Sequence, residues 1–323
     1  MPTNLIPFLE QLKISSRIPI VSEIATQTDM QVLLYYLYFP IEDPVEYMNR
    51  HRELCQSLEL KGRILIGDEG INGTVSGTIE NTEKYMEALR NDPRTAAIEF
   101  KIDPCDEHLF PKLSIKVRDE IVTLGLPDEA DIDPNEITGE RLSPREFYEA
   151  MQSKDVVIID GRNRYEADMG KFKNAIVPEI DSFREFPEWF KEHADEIKDK
   201  KILTYCTGGI RCEKLSGYLK KEGCEDVAQL HGGIVNYGKD PEVKGRDFEG
   251  RCYVFDKRVG VEANFTETRK IISTCRYCGT TVPEYSNCGW PNCNRQFFIC
   301  PECLEKEGSF CSTDCRDHAA EKG

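Results

Sequence analysis

The sequence predicts three folded parts whose combined fold class is α/β plus α+β. Strand and helix patterns follow the order βαββαβ over residues 31–126, which is typical of a split βαβ domain. Over residues 143–245 strands and helices alternate, which favours a parallel sheet with helices on both faces. Residues 275–323 hold eight cysteines, which predicts a small tail that metal holds together.

Three further segments connect or extend these parts. Residues 1–30 are weakly periodic, and we expect them to form an extension that lies over the first domain. Residues 127–142 begin with an acidic stretch that contains two prolines, which is typical of a linker. Residues 246–274 are predicted to connect the central domain to the tail.

The first domain is predicted to be ferredoxin-like because its apolar runs and helical periods occur in the order of that fold. The predicted elements are a strand at 32–39, a helix at 44–60, a strand at 63–67, a glycine-rich turn at 68–73, a strand at 74–76, a helix at 79–91, a strand at 97–102 and extended chain at 113–124.

The central domain opens with a helix start signal. Ser143 and Glu146 have the spacing of a capping box, and a proline occupies the first helical position. Residues 156–160 and 202–205 are apolar, β-branched or aromatic, which indicates buried strands. Another helix is predicted from Cys212, with Gly223 just past its end.

The loop before that helix is the strongest candidate for chemistry. Cys206 ends a strand, and two glycines turn the chain toward Arg211. A cysteine in a glycine-rich turn that opens a helix receives backbone N–H groups, which favour its thiolate. A buried structural cysteine is the alternative, although packing gives no use for two glycines and an arginine. The predicted backbone cradle is Thr207, Gly208, Gly209 and Ile210.

The spacing from Cys206 to Arg211, C-x4-R, resembles the active loop of rhodanese domains, whose cysteine carries sulfur as a persulfide. Cysteine phosphatases need one more residue in this loop, so the sequence disfavours a phosphatase. The resemblance implies a rhodanese-like central domain with Cys206 as its catalytic cysteine and Arg211 as the charge of the loop. It also implies that Asp160 and Arg162 pack beside the loop, where we expect a structural ion pair or loop hydrogen bonds.

Longer motifs resemble one rhodanese family, the oxygen-dependent tRNA uridine hydroxylases. They are C-T-G-G-I-R-C-E-K from Cys206, L-H-G-G-I from Leu230 and G-R-I-L-I-G-D-E-G-I-N-G-T from Gly62. The resemblance implies that the wobble uridine is hydroxylated to 5-hydroxyuridine, with molecular oxygen as co-substrate. It implies the tRNA anticodon loop as the partner, with the base splayed out for access.

Cys212 has two possible roles beside this loop. It could resolve a Cys206 persulfide by attacking it, or it could pack in the core, and the sequence favours packing.

Charge limits how the tRNA would be held. The formal net charge is −16, whereas proteins that bind nucleic acid usually carry a basic surplus. We therefore predict a local basic surface and no strong non-specific binding. Most of the basic residues proposed for this surface, considered one at a time, are equally well explained as ordinary solvent-exposed side chains. The proposed residues are Lys61, Arg63, Lys112, Lys116, Arg118, Lys257 and Arg258.

Cysteine usage indicates the compartment. The first segment lacks the apolar core of a signal peptide, and no apolar run is long enough to span a membrane. A cytoplasmic location is therefore predicted, where metal binding and thiol chemistry are favoured over disulfides for the 14 cysteines.

The tail cysteines fit two structural zinc sites of four sulfurs each. An iron–sulfur cluster uses thiolates too, and disulfides are the weaker alternative. Sequential and cross-braced sharing of the ligands both fit the spacing. The predicted ligands are Cys275, Cys278, Cys288, Cys293, Cys300, Cys303, Cys311 and Cys315.

A search for a redox cofactor finds no flavin, haem or nicotinamide motif in the sequence. Two triplets, His51 to Glu53 and His193 to Asp195, have the His-x-acid form of some iron sites. Both lie in predicted helices, where positions i and i+2 point roughly 200° apart. They are therefore not expected to chelate one ion.

Two other functions stay open. A rhodanese-type sulfurtransferase would move sulfur to a small-molecule, protein or tRNA acceptor. The stretch from Gly62 favours the hydroxylase over this alternative by resemblance alone. A non-enzymatic adaptor would bind a partner through the tail, but the intact loop at Cys206 argues against it.

Overall fold

In a computed structural model the chain is described over residues 28–293 and 295–320. The predicted N-terminal extension lies outside these residues up to position 27. Among the helices of the described part, none combines the length and the apolar character that crossing a bilayer requires.

The N-terminal domain is one sheet of five strands with two helices on one face. The elements are β1 (Met30–Tyr38), α1 (Pro44–Ser57), β2 (Lys61–Gly67), β3 (Gly70–Thr78), α2 (Ile79–Asn91), β4 (Glu99–Cys105) and β5 (Leu113–Val117). The strand order β4-β1-β3-β2-β5 confirms the predicted ferredoxin-like fold, and β5 adds a strand parallel to β2.

The two faces of this sheet have different roles. Leu33 and Tyr35 of β1 are fully buried against the helices. Leu34 and Tyr36 alternate with them and therefore lie on the other face, which is turned toward the central domain. The hydroxyl of Tyr36 donates a hydrogen bond to Glu213 of that domain at 3.1 Å.

The glycine-rich turn of this domain is shorter than predicted. Only Asp68 and Glu69 separate β2 from β3, and residues 70–73 belong to β3. Gly70 has a φ of +146°, and a Cβ there would clash with the carbonyl of Leu37. A Cβ on Gly73 would clash with the hydroxyl of Tyr35. These glycines serve close approach within the sheet, which a composition pattern cannot distinguish from a turn.

The central domain contains five strands and five helices in its described residues. They are β6 (Glu140–Leu142), α3 (Pro144–Met151), β7 (Val156–Asp160), α4 (Arg164–Ala167), β8 (Gly170–Phe172), α5 (Phe186–Ile197), β9 (Lys201–Tyr205), α6 (Ile210–Lys221), β10 (Val227–Leu230) and α7 (Gly233–Lys239). Four strands form a parallel sheet in the order β6-β10-β9-β7.

Both faces of this sheet are covered, as the alternating pattern predicts. Ile159 and Ile202 belong to a core with α5 and α6, whereas Ile158 and Leu203 belong to a core with α3 and α7. Helices on both faces leave the carboxyl ends of the strands as the open edge, and ligands of such sheets bind there.

Helices α3 and α6 both begin at this edge of the sheet. The predicted capping box is present, because the Ser143 hydroxyl accepts from the N–H of Glu146 and the Glu146 carboxylate accepts from the N–H of Ser143. Helix α6 begins at Ile210, two residues before the predicted start at Cys212. Gly209, with a φ of +101°, ends the turn and lets the helix start early.

The C-terminal part continues the central domain and then forms the tail. Its elements are β11 (Phe248–Tyr253), β12 (Gly260–Glu262), β13 (Tyr285–Asn287), β14 (Gln296–Phe298), α8 (Pro301–Glu307) and α9 (Thr313–Ala320). Strand β11 pairs with β8 and β12, so the segment predicted only as a connection forms a three-stranded sheet. The Tyr253 hydroxyl donates to Gln296 at 2.5 Å and links this sheet to the tail.

A buried lysine joins the first two domains. Lys214 of α6 has no exposed surface, and its ammonium contacts Glu69 at 2.7 Å, Glu120 at 2.8 Å and Asp131 at 3.5 Å. These carboxylates come from the β2–β3 turn and from the chain that connects the two domains. The open face of the N-terminal sheet is thereby fixed over the carboxyl edge of the central sheet.

Candidate active site

Cys206 lies at the carboxyl end of β9, and only 1% of its surface is exposed. The N–H of Gly209 donates to its sulfur at 3.1 Å. Burial opposes ionisation of this thiol. A hydrogen bond from the Cys212 thiol, the charge of Arg211 and the N–H groups of Cys212 and Arg211 outweigh it and lower the pKa of Cys206 to about 6. The site therefore holds an anionic sulfur at neutral pH.

The motif L-H-G-G-I supports the Cys206 turn through its backbone. The N–H of Ile234 donates to the carbonyl of Cys206 at 3.0 Å, and the N–H of Val235 donates to that of Thr207 at 3.1 Å. Gly233 has a φ of +68°, and a Cβ there would lie 2.5 Å from the Cys206 carbonyl oxygen. The glycine is thus required for contact between the two loops.

Arg211 forms an ion pair with a residue that the sequence analysis did not identify. Its guanidinium donates two hydrogen bonds to Glu166 of α4, at 2.6 and 2.7 Å, and both side chains are buried. Glu166 precedes Arg211 by 45 positions, so no local spacing connects the two. The carboxylate holds the arginine in place but also reduces its field at Cys206.

Asp160 and Arg162 form a fully buried ion pair at the end of β7, with Nη2 and Oδ2 2.7 Å apart. The Tyr205 hydroxyl donates to Asp160 at 2.7 Å, and Arg162 also donates to the carbonyl of Gly170 at 2.6 Å. The pair therefore links β7, β8 and β9 at the strand ends beside Cys206.

Cys212 lies in the first turn of α6 and is fully buried. Burial and the neighbouring Cys206 both raise the pKa of the Cys212 thiol, which therefore stays protonated and donates to the Cys206 anion. The burial of Cys212 fits the packing role that the sequence favoured, and the resolving role stays a prediction.

Strand β1 of the N-terminal domain covers the Cys206 loop. A Cβ on Gly208 would lie 3.0 Å from the side chain of Leu34, and one on Gly209 would lie 2.9 Å from the hydroxyl of Tyr36. The two glycines therefore allow the domains to meet over the sulfur. This cover could not be predicted from the sequence, because alternation in β1 predicts two faces but not what each face contacts.

Three of the predicted basic residues, Lys61, Arg63 and Lys116, lie on this face of the N-terminal sheet. Arg63 of β2 lies opposite Thr74 of β3, which in turn lies opposite Leu34 of β1, so the three side chains are on the same face of the sheet. Lys116 of β5 is on that face too. The basic side chains therefore extend the sheet face that covers Cys206. Lys112 and Arg118 flank β5 at its two ends.

The other two predicted basic residues are engaged elsewhere. Lys257 pairs with Glu107 at 2.5 Å. Arg258 is half-buried and pairs with Asp103 at 3.1 Å and Asp256 at 2.6 Å.

The tail cysteines form two separate groups. In each group the four sulfur atoms lie within 4.8 Å of one another, and the neighbouring pairs Cys278–Cys300 and Cys293–Cys311 are 3.7 and 3.6 Å apart. Four sulfurs at about 2.3 Å from a zinc ion have a tetrahedral edge of about 3.8 Å, so the spacing fits a metal ion. The groups are Cys275, Cys278, Cys300 and Cys303, and Cys288, Cys293, Cys311 and Cys315.

Two consequences follow for metals. The groups take alternate cysteine pairs along the chain, which is the cross-braced arrangement of the two that the spacing allowed. The His51 ring forms a hydrogen bond with the Tyr85 hydroxyl at 2.7 Å, and the His193 ring forms one with the Trp189 carbonyl at 2.8 Å. Neither histidine belongs to a cluster of possible metal ligands in the described residues.

Three family profiles match successive parts of the chain. They are the UPF0176 acylphosphatase like domain over residues 30–121, the Rhodanese-like domain over residues 143–240 and the Rhodanase C-terminal region over residues 249–316.

Curated relatives cover nearly the whole chain. A protein of Bacillus mycoides (strain KBAB4) named tRNA uridine(34) hydroxylase is 55% identical over 294 residues, which are 91% of this chain and 91% of the relative. Proteins of the same name from Bacillus cereus (strain B4264) and Bacillus anthracis (strain A0248) are 55% identical over 292 residues, 90% of this chain and 91% of theirs. Since the match extends across all three parts of the fold, the chain belongs to the family of the tRNA uridine(34) hydroxylases.

Proposed function

We propose that this protein hydroxylates the wobble uridine of tRNA to 5-hydroxyuridine, with molecular oxygen as co-substrate. The observation that carries the proposal is the 55% identity over 91% of the chain to a relative named tRNA uridine(34) hydroxylase. The reaction makes the protein an oxidoreductase of the monooxygenase type, and its tRNA substrate suits a cytoplasmic location.

Cys206 is the proposed catalytic residue and carries a persulfide. The N–H of Gly209 and the start of α6 already stabilise an anion at its sulfur. A persulfide is a stronger acid than a thiol and would be more fully anionic in the same cradle. Arg211 and its partner Glu166 hold the cradle, and the cover by β1 keeps bulk water from the sulfur.

The Cys206 assignment is tested in a strain that lacks the gene. Serine matches cysteine in size but cannot form a persulfide, so Cys206→Ser should abolish 5-hydroxyuridine in nucleoside mass spectrometry of tRNA. Cys224→Ser, the same change at a buried thiol outside the site, should restore the nucleoside as the wild type does.

Two results would contradict this assignment. Normal 5-hydroxyuridine with Cys206→Ser, in a strain without a second pathway, would remove Cys206 from the reaction. Unchanged tRNA on gene deletion, together with fast transfer of sulfur from thiosulfate to cyanide by the pure protein, would favour the sulfurtransferase.

The proposed tRNA surface is the basic part of the N-terminal sheet face. Strands β1 and β2 are separated by β3 alone, so Arg63 lies roughly 10 Å from the strand that covers Cys206. Phosphates on either side of an extruded base would be within reach of this surface. We propose that Lys61, Arg63, Lys112, Lys116 and Arg118 contact phosphates. Lys257 and Arg258 are left out, since carboxylates already bind them.

Charge reversal tests this surface. The double variant Arg63→Glu, Lys116→Glu should bind tRNA more weakly, and the slope of log affinity against log salt should fall by about two. Lys84→Glu is the matched control, because Lys84 lies on α2 on the opposite side of the sheet. Equal affinity and slope for the double variant and the control would exclude the surface.

We propose that both cysteine groups hold zinc ions with a structural role. Each group supplies four sulfurs, which completes a tetrahedral shell and leaves no position for a substrate or water. Bound zinc would replace a large apolar core as the main source of stability in the tail.

A further inference from the structure

Lys101 of β4 lies at the domain boundary above the Cys206 loop. It is the register partner of Leu34, whose side chain contacts Gly208. Its Nζ lies 5.1 Å from the centre of the Tyr36 ring, and the Tyr36 hydroxyl contacts Gly209. A lysine of the N-terminal domain thus adjoins the loop that holds the catalytic sulfur.

Lys101 is largely buried, and its ammonium has no contacting carboxylate in the described part of the chain. Only 7% of the residue is exposed, and over residues 28–293 and 295–320 it has neither a hydrogen bond nor an ion pair. Nearby carboxylates already have partners, because Glu99 pairs with His231 at 3.0 Å and Glu213 with Arg141 at 2.8 Å. A cation that is largely shielded from water and lacks a contacting carboxylate favours a further anion nearby.

The other cation of the loop is already neutralised. Arg211 is bound by both oxygens of Glu166. Among the charged groups that the structure describes around Cys206, Lys101 is therefore the cation whose field is not cancelled by a contacting carboxylate.

We infer that Lys101 is the counter-ion of the Cys206 sulfur and stabilises its anionic form. Lys101 makes no direct hydrogen bond to Cys206, but the outer sulfur of a persulfide extends the anion by about 2 Å, the length of one S–S bond. For the persulfide the inference rests on the proposed function; for the thiolate it does not. The anionic sulfur is thus stabilised by both domains. The central domain supplies the backbone cradle, and the N-terminal domain supplies the cation.

Other groups that face Cys206 do not replace this cation. They are Arg211 and Cys212 from α6 and Tyr36 and Tyr38 from β1. Burial and nearby carboxylates raise the pKa of both tyrosines well above the usual range, so they stay neutral. Burial lowers the pKa of Lys101, whereas Glu99 and the Cys206 anion raise it, so lysine and sulfur favour each other's charge.

The test measures ionisation of Cys206 without relying on hydroxylation. The full-length protein is alkylated with iodoacetamide at a series of pH values, and the Cys206 peptide is quantified by mass spectrometry. Because β1 covers Cys206, the reagent reacts during brief openings of this cover, and the rate follows the fraction of Cys206 that is ionised in the closed protein. Lys101→Met should raise the midpoint pH of Cys206 alkylation by roughly one unit. Lys101→Arg keeps the charge and should keep the wild-type midpoint. Lys84→Met loses one charge from the far side of the same domain and should leave the midpoint unchanged.

Three results separate the possibilities. An unchanged midpoint in Lys101→Met would overturn the inference, and so would equal shifts in Lys101→Met and Lys101→Arg, because the cause would then be packing. Loss of 5-hydroxyuridine in Lys101→Met with an unchanged midpoint would assign the lysine to the RNA instead and would also overturn it. If the wild-type protein formed no 5-hydroxyuridine but the midpoint moved as expected, the proposed function would fail and the Lys101–Cys206 pair would stand.

Discussion

The imidazole of His51 is stacked on Tyr47 and bonded to Tyr85 in the core of the N-terminal domain. It is 4% exposed, and burial lowers its pKa to about 4. In the unfolded chain a histidine has a pKa near 6.5. The folded pKa is the lower one, so the stability from neutral His51 is complete above about pH 6.5 and is lost as the pH falls through about 4.

This side chain gives a prediction about acid stability. The pKa difference corresponds to about 3 kcal/mol, so the unfolding free energy of the N-terminal domain should fall by that order between pH 7 and pH 4. His51→Gln, which cannot gain a proton, should show a shallower decline in urea unfolding over this range. Parallel curves for wild type and variant would show that His51 does not set the acid sensitivity.

Individual residues also show what could be inferred before the structure. Cys206, the glycines after it and Arg211 are adjacent in sequence, so their spacing already predicted an anion cradle. Glu166, Tyr36 and Lys101 reach the same loop from other elements and from another domain. Their patterns are those of an ordinary helix or strand, and only tertiary packing gives them a role.

Helix α6 is the element that joins the site to the rest of the protein. Residues 211–219 are all buried. Its first turn supplies the cradle, Glu213 bonds to Tyr36, and Lys214 binds three carboxylates from other segments. A change at one position of this helix therefore affects the contact between the two domains.

Lys214→Met tests that contact. The substitution keeps the length of the side chain but leaves the half-buried carboxylates of Glu69 and Glu120 without their shared cation. Loss of one partner from a buried ion pair costs about 3–5 kcal/mol, and a decrease of that order is expected in the free energy of unfolding. Adding Glu69→Gln and Glu120→Gln should recover part of it. No recovery in the triple variant would show that packing around Lys214, and not charge, holds the domains together.

The elements differed in how well the sequence predicted them. The predicted bounds of α2, residues 79–91, agree with the structure, because helical period and a Thr78 cap coincide there. Strands β8 and β12 have three residues each, too few to show a period. Strand β8 pairs with β11 across some 80 positions, a contact that the local sequence does not contain.

At the scale of the whole molecule, the tail is stabilised differently from the two larger domains. Seven of its eight cysteines lie in one cluster with a few apolar side chains such as Phe297 and Ile299, and Cys278 is exposed. The cross-braced sharing means that each proposed metal site spans most of the tail, so the two sites should depend on each other.

If both cysteine groups hold zinc, elemental analysis of the purified protein should find close to two zinc ions per chain. Cys300→Ser removes a ligand of the first group and should lower the zinc content below one and expose the tail to protease. The Cys206 loop should keep its alkylation midpoint, because the central domain has cores of its own. Retention of one full zinc ion and a protected tail would show that the sites are independent. Absence of metal from the purified protein, with disulfides in its place, would refute the zinc sites.

The N-terminal sheet covers Cys206, and this cover limits the rate at which tRNA can be modified. With 1% of the residue exposed, no nucleotide can touch the sulfur while Leu34 and Tyr36 rest on Gly208 and Gly209. Under the proposed function, the contact between β1 and the Cys206 loop must therefore open before the base reaches the sulfur and close again afterwards. The frequency of that motion sets an upper limit on the rate of modification, and a closed protein shields its sulfur from oxidants between encounters with tRNA.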